Sequence, residues 1–300
     1  MRSLFALGEA AMLVDLVHTT TRDGVRLDGA YYSPTRSGAP TIGVDAICFL
    51  HGTGGNFYSS SLFDELGERL RSLGCGVLRV NTRGHDGVST ALTEQGGRRQ
   101  GAAYEVADHC RHDVAACLDW LRQYAGPRIG VVGHSMGAVK CLYALAHEPQ
   151  NAAVCAVAVS PPRLSYSWFC SSPEGADFLQ TYQLAERHAA GGQAGTILDV
   201  KLPLPFLITA GGYVEKYGPE ERYNYFRFVS GMPCPTLITL GGREVENNMA
   251  FRGAPEALSE VAIKRKNLIV ETIADADHFY NGVRAELGAR VEAWLRQTSS

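Results

Sequence analysis

The sequence predicts an α/β fold: a mainly parallel central sheet with helices on both faces, opened by an antiparallel hairpin and interrupted by one long insertion. Three observations lead there. Short apolar runs at 46–50, 76–80, 128–132, 152–159 and 235–240 have the character of buried strands, and they alternate with segments of helical spacing. Polar, glycine-rich motifs follow these runs, at the carboxyl ends where open α/β sheets bind ligands. The alternation stops over residues 161–232 and then resumes.

Taken in order, 14–20 and 25–32 alternate apolar and polar residues around Asp23-Gly24, a hairpin signal. Residues 33–43 are rich in Pro, Gly and Ser and read as a loop. Strand 46–50 runs into His51-Gly52-Thr53-Gly54-Gly55, followed by a helix over 57–73 and a strand at 76–80. Residues 81–87 are a polar turn. A helix is expected over 101–124, with Val106, Val114, Cys117, Leu118 and Leu121 as its apolar stripe. After 235–240 come a helix near 255–263, a strand at 267–273 and a last helix over about 280–297.

Composition narrows the function classes. Three hundred residues suffice for a large core, and 45% hydrophobic with 20% charged residues is ordinary for a globular protein. A net charge of −3 gives no electrostatic reason to expect nucleic acid or an anionic membrane as partner. No apolar run approaches the roughly 18 residues of a membrane span. Residues 1–14 carry Glu9 and only Arg2 as a basic start, so no secretory signal is expected, and Met12 is an alternative start. The eight cysteines contain no C-x-x-C, and several lie in apolar runs; reduced thiols in a cytoplasmic enzyme are the expectation.

The chemistry centres on Gly133-His134-Ser135-Met136-Gly137, between an apolar strand and an alanine-rich helix expected over 136–147. A serine on a strand-to-helix elbow sits in strained backbone, so the positions two before and two after it must be small. The helix N-terminus then presents free N–H groups to an anion forming beside Ser135. A serine needs a base, and the base needs a third group to orient it. His278, in Ala276-Asp277-His278-Phe279-Tyr280 after a strand, is the base expected; His134 fills a variable position of the motif and is read as packing. The acid is expected from Gly241-Gly242-Arg243-Glu244-Val245-Glu246, with Glu244 chosen and Glu246 in reserve. Asp275 and Asp277 are read as turn residues. The oxyanion donors are expected at the N–H of Met136 and of Thr53 or Gly54.

These segments resemble the α/β-hydrolase fold superfamily, in its serine esterase and lipase-like branch. The matching pieces are HGTGG at 51–55, NTRGHDGVS at 81–89, GHSMG at 133–137, LGGRE at 240–244 and ADHFY at 276–280, in family order over most of the chain. The resemblance implies Ser135 as nucleophile, His278 as base and Glu244 where the family usually has aspartate. Arg83 and His85 match a loop that mostly shapes the site.

Two other clusters carry less. His109, His112 and Asp113 lie one helical turn apart, but a metal half-site lacks a second ligand pair and a solvated helix face is the simpler reading. The glycines at 52, 54 and 55 do not meet G-x-G-x-x-G. No metal or organic cofactor is expected.

The chain is thus read as a core of 1–160 and 233–300 with a cap at 161–232. The cap segment holds 12 of the 27 aromatic residues; most are expected to build its own core and a few to wall a partly hydrophobic substrate cavity. The expected activity is hydrolysis of a carboxylic ester of a small or medium-sized organic molecule through an acyl-enzyme. Thioester or amide hydrolysis, acyl transfer, a lyase or C–C bond hydrolase on the same scaffold, and a non-catalytic binding protein are the alternatives. The only partner expected is the small-molecule substrate, and oligomeric state is not legible.

Overall fold

The computed structural model describes residues 13–298, so the reading of the N-terminus falls mostly outside the described residues. The elements are β1 (Asp15–Thr20), β2 (Arg26–Tyr32), β3 (Ala46–Leu50), α1 (Ser61–Ser72), β4 (Gly76–Val80), β5 (Ser89–Thr93), β6 (Gly96–Gln100), α2 (Cys110–Tyr124), β7 (Ile129–His134) and α3 (Met136–His147). They continue with β8 (Cys155–Val159), α4 (Tyr166–Ser171), α5 (Gly175–Ala190), β9 (Ile197–Val200), β10 (Phe206–Thr209) and α6 (Ala210–Tyr217). The chain closes with β11 (Thr236–Gly241), α7 (Gly242–Asn247), α8 (Ala254–Ala262), β12 (Leu268–Ile273) and α9 (Arg284–Thr298).

Eight strands form one sheet in the order β1-β2-β4-β3-β7-β8-β11-β12. The β1–β2 hairpin joins antiparallel, through β2 and β4, and the other six strands run parallel. Burial on both faces explains the continuous apolar runs: in β3, Ala46, Cys48 and Leu50 enter one core layer and Ile47 and Phe49 the other. Helices α2, α3 and α8 pack in the first layer, α1 and α9 in the second. The chain leaves β3 for β4 on one side and returns across β3 to β7 on the other. That reversal opens a crevice at the carboxyl ends of β3 and β7.

Local polar contacts correct the expected helix starts. Residues 101–109 do not belong to α2: the N–H groups of 101–103 pair with the loop after β4, Gly101 to the Arg83 carbonyl at 2.9 Å, Ala102 to Asp86 at 2.9 Å and Ala103 to Gly87 at 3.0 Å, and 107–109 form a single 3-10 turn. Helix α1 begins at Ser61, since the Asn56 side chain holds the Ser59 N–H at 2.9 Å in a turn and Ser60 caps the Phe63 N–H at 3.2 Å. Helix α9 begins at Arg284 because Asp277 draws the Phe279 and Asn281 N–H groups into a turn, with Tyr280 at φ 54°. The hairpin β5–β6 and the short helix α7 had no counterpart in the sequence reading.

Residues 161–232 lie between β8 and β11 and hold α4, α5, the separate hairpin β9–β10, and α6. Ring pairs such as Phe169–Phe178 (5.1 Å between centroids), Tyr166–Tyr182 (5.0 Å) and Tyr213–Tyr217 (4.9 Å) fill the space between its helices. Tyr223 and Phe228 instead pack against Tyr143 of α3, at 5.0 and 5.8 Å. All eight cysteines are free thiols. Among the described residues no helix is long and apolar enough to cross a membrane.

Candidate active site

Ser135 is the residue between β7 and α3, at φ 56° and ψ −124°, a conformation L-residues rarely adopt. The flanking glycines make the elbow possible. A Cβ on Gly133 would collide with the Gly137 carbonyl, and a Cβ on Gly137 with the carbonyls of Leu50 and His51. Among the described residues, the first N–H of α3 to donate back is that of Ala138, to the Ser135 carbonyl at 2.9 Å, so those of Met136 and Gly137 are left over at the helix start. The turn after β3 runs against the serine: a Cβ on Gly52 would stand 3.0 Å from the Ser135 Cβ and 3.5 Å from its Oγ.

His278 follows β12, and its Nδ1 lies 2.6 Å from Glu244 Oε2. An ionised carboxylate only accepts, so Nδ1 carries the proton and Nε2 is the accepting nitrogen of the neutral ring. Glu244, 6% exposed, stands in α7 and reaches back to the end of β11. Its Oε1 accepts the Gly241 N–H at 2.7 Å and the Ser160 hydroxyl. The extra methylene of a glutamate is taken up by that one-turn setback. Glycines 241 and 242 let the end of β11 touch the loop after β12, where added Cβ atoms would strike the carbonyls of Ala276 and Ala274. Glu246 is exposed, so Glu244 is the carboxylate that meets His278.

Several supporting residues were not foreseen. Ser160, at φ 49° after β8, and Thr239 of β11 each lie 3.1 Å from the Tyr280 hydroxyl. Together they form a buried polar floor beneath Glu244. His134 does more than pack: its Nε2 donates to the His278 carbonyl at 2.7 Å, fixing the backbone that carries the base. Burial, aided by the neighbouring His278, lowers its pKa to about 3. His51 accepts the Thr82 N–H on Nε2 at 3.1 Å and donates from Nδ1 to the Gly52 carbonyl at 2.8 Å, which shapes the turn. Burial and the nearby Lys140 lower its pKa to about 4. Burial also acts on Glu105, pushing its pKa up, but Lys140 and Lys216 overcome this and hold the carboxyl below its usual range. The position of Ser160 at a strand's carboxyl end was the one usable signal for this group; the rest depended on tertiary neighbours.

Ser135, His278, Thr53 and Gly54 all line one cavity of about 750 Å³, with Gly54 in the left-handed region at φ 65°. Met136 is buried beneath it. Apolar walls come from Leu62 and Phe63 of α1 and from Leu204, Phe206 and Leu207 of the insertion. Of the insertion's twelve aromatic residues, Phe206 alone lines this cavity. Arg83 is fully buried and serves structure, bound to Asp113 at 2.7 Å and Asp23 at 2.8 Å. That commits Asp113, and the His112 ring accepts from Arg22.

A family model described as alpha/beta hydrolase fold matches residues 45–193. No match is found among the curated proteins. Among solved structures, the chain is similar to the Pyrococcus furiosus esterase Pf2001 (19% identity, TM-score 0.62, 95% of this chain and 91% of that one). It is also similar to Est1E from Butyrivibrio proteoclasticus with ferulic acid bound (17%, 0.63, 93% and 98%). The esterase domain of a Rhodothermus marinus protein is a third such structure (18%, 0.60, 96% and 100%). These likenesses extend over nearly the whole sheet and the insertion and carry the fold. The chain has the α/β-hydrolase fold.

Proposed function

We propose that this chain is a serine hydrolase of carboxylic esters of small or medium-sized, partly hydrophobic molecules. The observation that carries the reading is the His278–Glu244 pair, 2.6 Å apart, with His278 lining the same cavity as the strained Ser135. Ser135 Oγ attacks the ester carbonyl while His278 Nε2 takes its proton, and Glu244 steadies the ring and the charge it acquires. The tetrahedral oxyanion is held by the Met136 N–H together with that of Thr53 or Gly54. Its collapse expels the alcohol, which receives the proton from His278. Water then attacks the acyl-serine, passing a proton to His278, and the acid leaves as Ser135 is restored. In this reading residues 161–232 act as a cap whose 204–207 segment walls the substrate.

The test is intact-protein mass after treatment with a fluorophosphonate, on the wild type and on Ser135→Ala, beside a series of p-nitrophenyl esters. One adduct that is lost in Ser135→Ala, with ester turnover, is expected. A folded protein with no adduct and no turnover would sink the proposal.

A further inference from the structure

The cavity has few formal charges. None of its lining residues is Asp, Glu or Lys. The imidazoles of His51 and His134 are buried with lowered pKa values, and the Nδ1 of His278 is taken by Glu244. Glu244 itself stands behind His278 and does not reach the lining. The exception is Arg284, at the first position of α9, on the side where Phe279 and Asn281 are open to solvent.

Arg284 is held in place by neutral groups alone. Its Nε donates to the Phe279 carbonyl at 3.1 Å and one terminal nitrogen to Asn281 Oδ1 at 2.6 Å. Both nearby acids are occupied elsewhere: Glu286 pairs with Arg290, and Asp277 accepts the N–H groups of Phe279 (2.9 Å) and Asn281 (3.0 Å) and the Asn281 side-chain amide (2.8 Å). Asp277 thus aims Asn281, and Asn281 aims the guanidinium, without neutralising it. Farther along α9, Arg290 and Arg296 do have carboxylate partners, Glu286 and Glu292. Among the described residues no carboxylate pairs with Arg284. An oriented guanidinium with free N–H donors, facing an otherwise uncharged apolar cavity, matches a planar two-oxygen anion.

We infer that Arg284 is a specificity-determining residue that binds a carboxylate carried by the substrate, so the esters hydrolysed here pair an apolar body with an anionic group distinct from the scissile ester. This rests on the proposed hydrolase activity.

Two matched pairs of esters test it: p-nitrophenyl hemiglutarate against p-nitrophenyl pentanoate for an acyl-side carboxylate, and 4-acetoxybenzoate against 4-acetoxybenzamide for one on the leaving group. In at least one pair the wild type is expected to favour the anion in kcat/KM by roughly 10- to 100-fold, the scale of a hydrogen-bonded charge. Arg284→Gln abolishes that ratio mainly through KM, whatever its effect on the neutral ester. Arg284→Lys keeps part of it, as a charge without the fork. Neutral esters turned over with the same ratios in the wild type and Arg284→Gln would overturn the role of Arg284 while leaving the hydrolase reading intact. If no ester is turned over and Ser135 takes no fluorophosphonate, the hydrolase reading fails, and binding decides. Thermal stabilisation by hexanoate over hexanamide, lost in Arg284→Gln, still supports the carboxylate site; equal response to both probes overturns it.

Discussion

The strand ends of the core and the inserted segment 161–232 solve different problems. At the strand ends, short polar loops are locked by backbone: Gly133 and Gly137 let β7 and α3 nearly touch, and Glu244 is gripped by Gly241, Ser160 and His278. The insertion is held by aromatic packing, and its rings are spent on its own core and on α3, leaving Phe206 to face the cavity. Besides the rings on α3, a buried ion cluster joins the two. Lys140 of α3 binds Glu105, and Lys216 of α6 stands 3.8 Å from the same carboxylate. Precision belongs to the sheet edge, whereas the insertion contributes bulk and a wall.

By that division, substitutions at the strand ends alter rate and those in the insertion alter stability or chain-length preference. Ser135→Ala is expected to lower kcat for p-nitrophenyl esters about a millionfold, the scale of losing a triad nucleophile. Activity within tenfold of wild type would remove Ser135 from the chemistry. Glu244→Gln keeps the acceptor for the Gly241 N–H but turns an amide N–H toward His278 Nδ1, favouring the wrong tautomer. A loss of about ten-thousandfold in kcat is expected, with little change in the circular dichroism spectrum.

Phe178→Ala, at a fully buried ring of the insertion, should cost about 3–5 kcal/mol in urea unfolding. A cost below about 1 kcal/mol would mean that the aromatic cluster does not hold the insertion together. The buried imidazole of His51 sharpens the comparison through pH. Its folded pKa of about 4 lies below the ordinary 6.5, so the unfolded chain takes up a proton in that window and the folded chain does not. Stability is therefore full above pH 6.5 and falls as the pH drops toward 4, by about 2 kcal/mol at pH 5 from this residue. Unfolding at pH 7 and pH 5 should show a shallower fall in His51→Gln; an unchanged slope would contradict a neutral buried ring. The smallest effect is expected from Phe206→Ala, which shifts the p-nitrophenyl ester optimum to longer acyl chains and changes kcat/KM by about tenfold. An unmoved optimum would detach this segment from the acyl pocket.

Much of this arrangement could be read along the chain because it is written in local chemistry. Apolar runs buried on both faces, glycines at an elbow and the order of polar motifs each depend on neighbours close in sequence. They sufficed for a mainly parallel α/β sheet and for expecting Ser135, His278 and Glu244 at strand ends, and the motifs' resemblance to a known family supplied the α/β-hydrolase fold. They also sufficed to expect that most rings of the insertion would pack among themselves. What they could not supply were contacts made across the fold. The N–H groups of 101–103 turned to the loop after β4 instead of into a helix. The Ser160 hydroxyl found Glu244, 84 residues away, and the His134 ring found the backbone of His278, 144 residues away. The sequence favoured Glu244 with Glu246 in reserve, and the direction of α7 buried the first and exposed the second. Arg284 looked like any arginine on a helix until the fold set it at the cavity with only neutral partners. Periodicity and small residues specify which segments form strands, elbows and turns. Which polar groups meet, and which charge stays unpaired, is decided only when the sheet brings distant strand ends to one crevice.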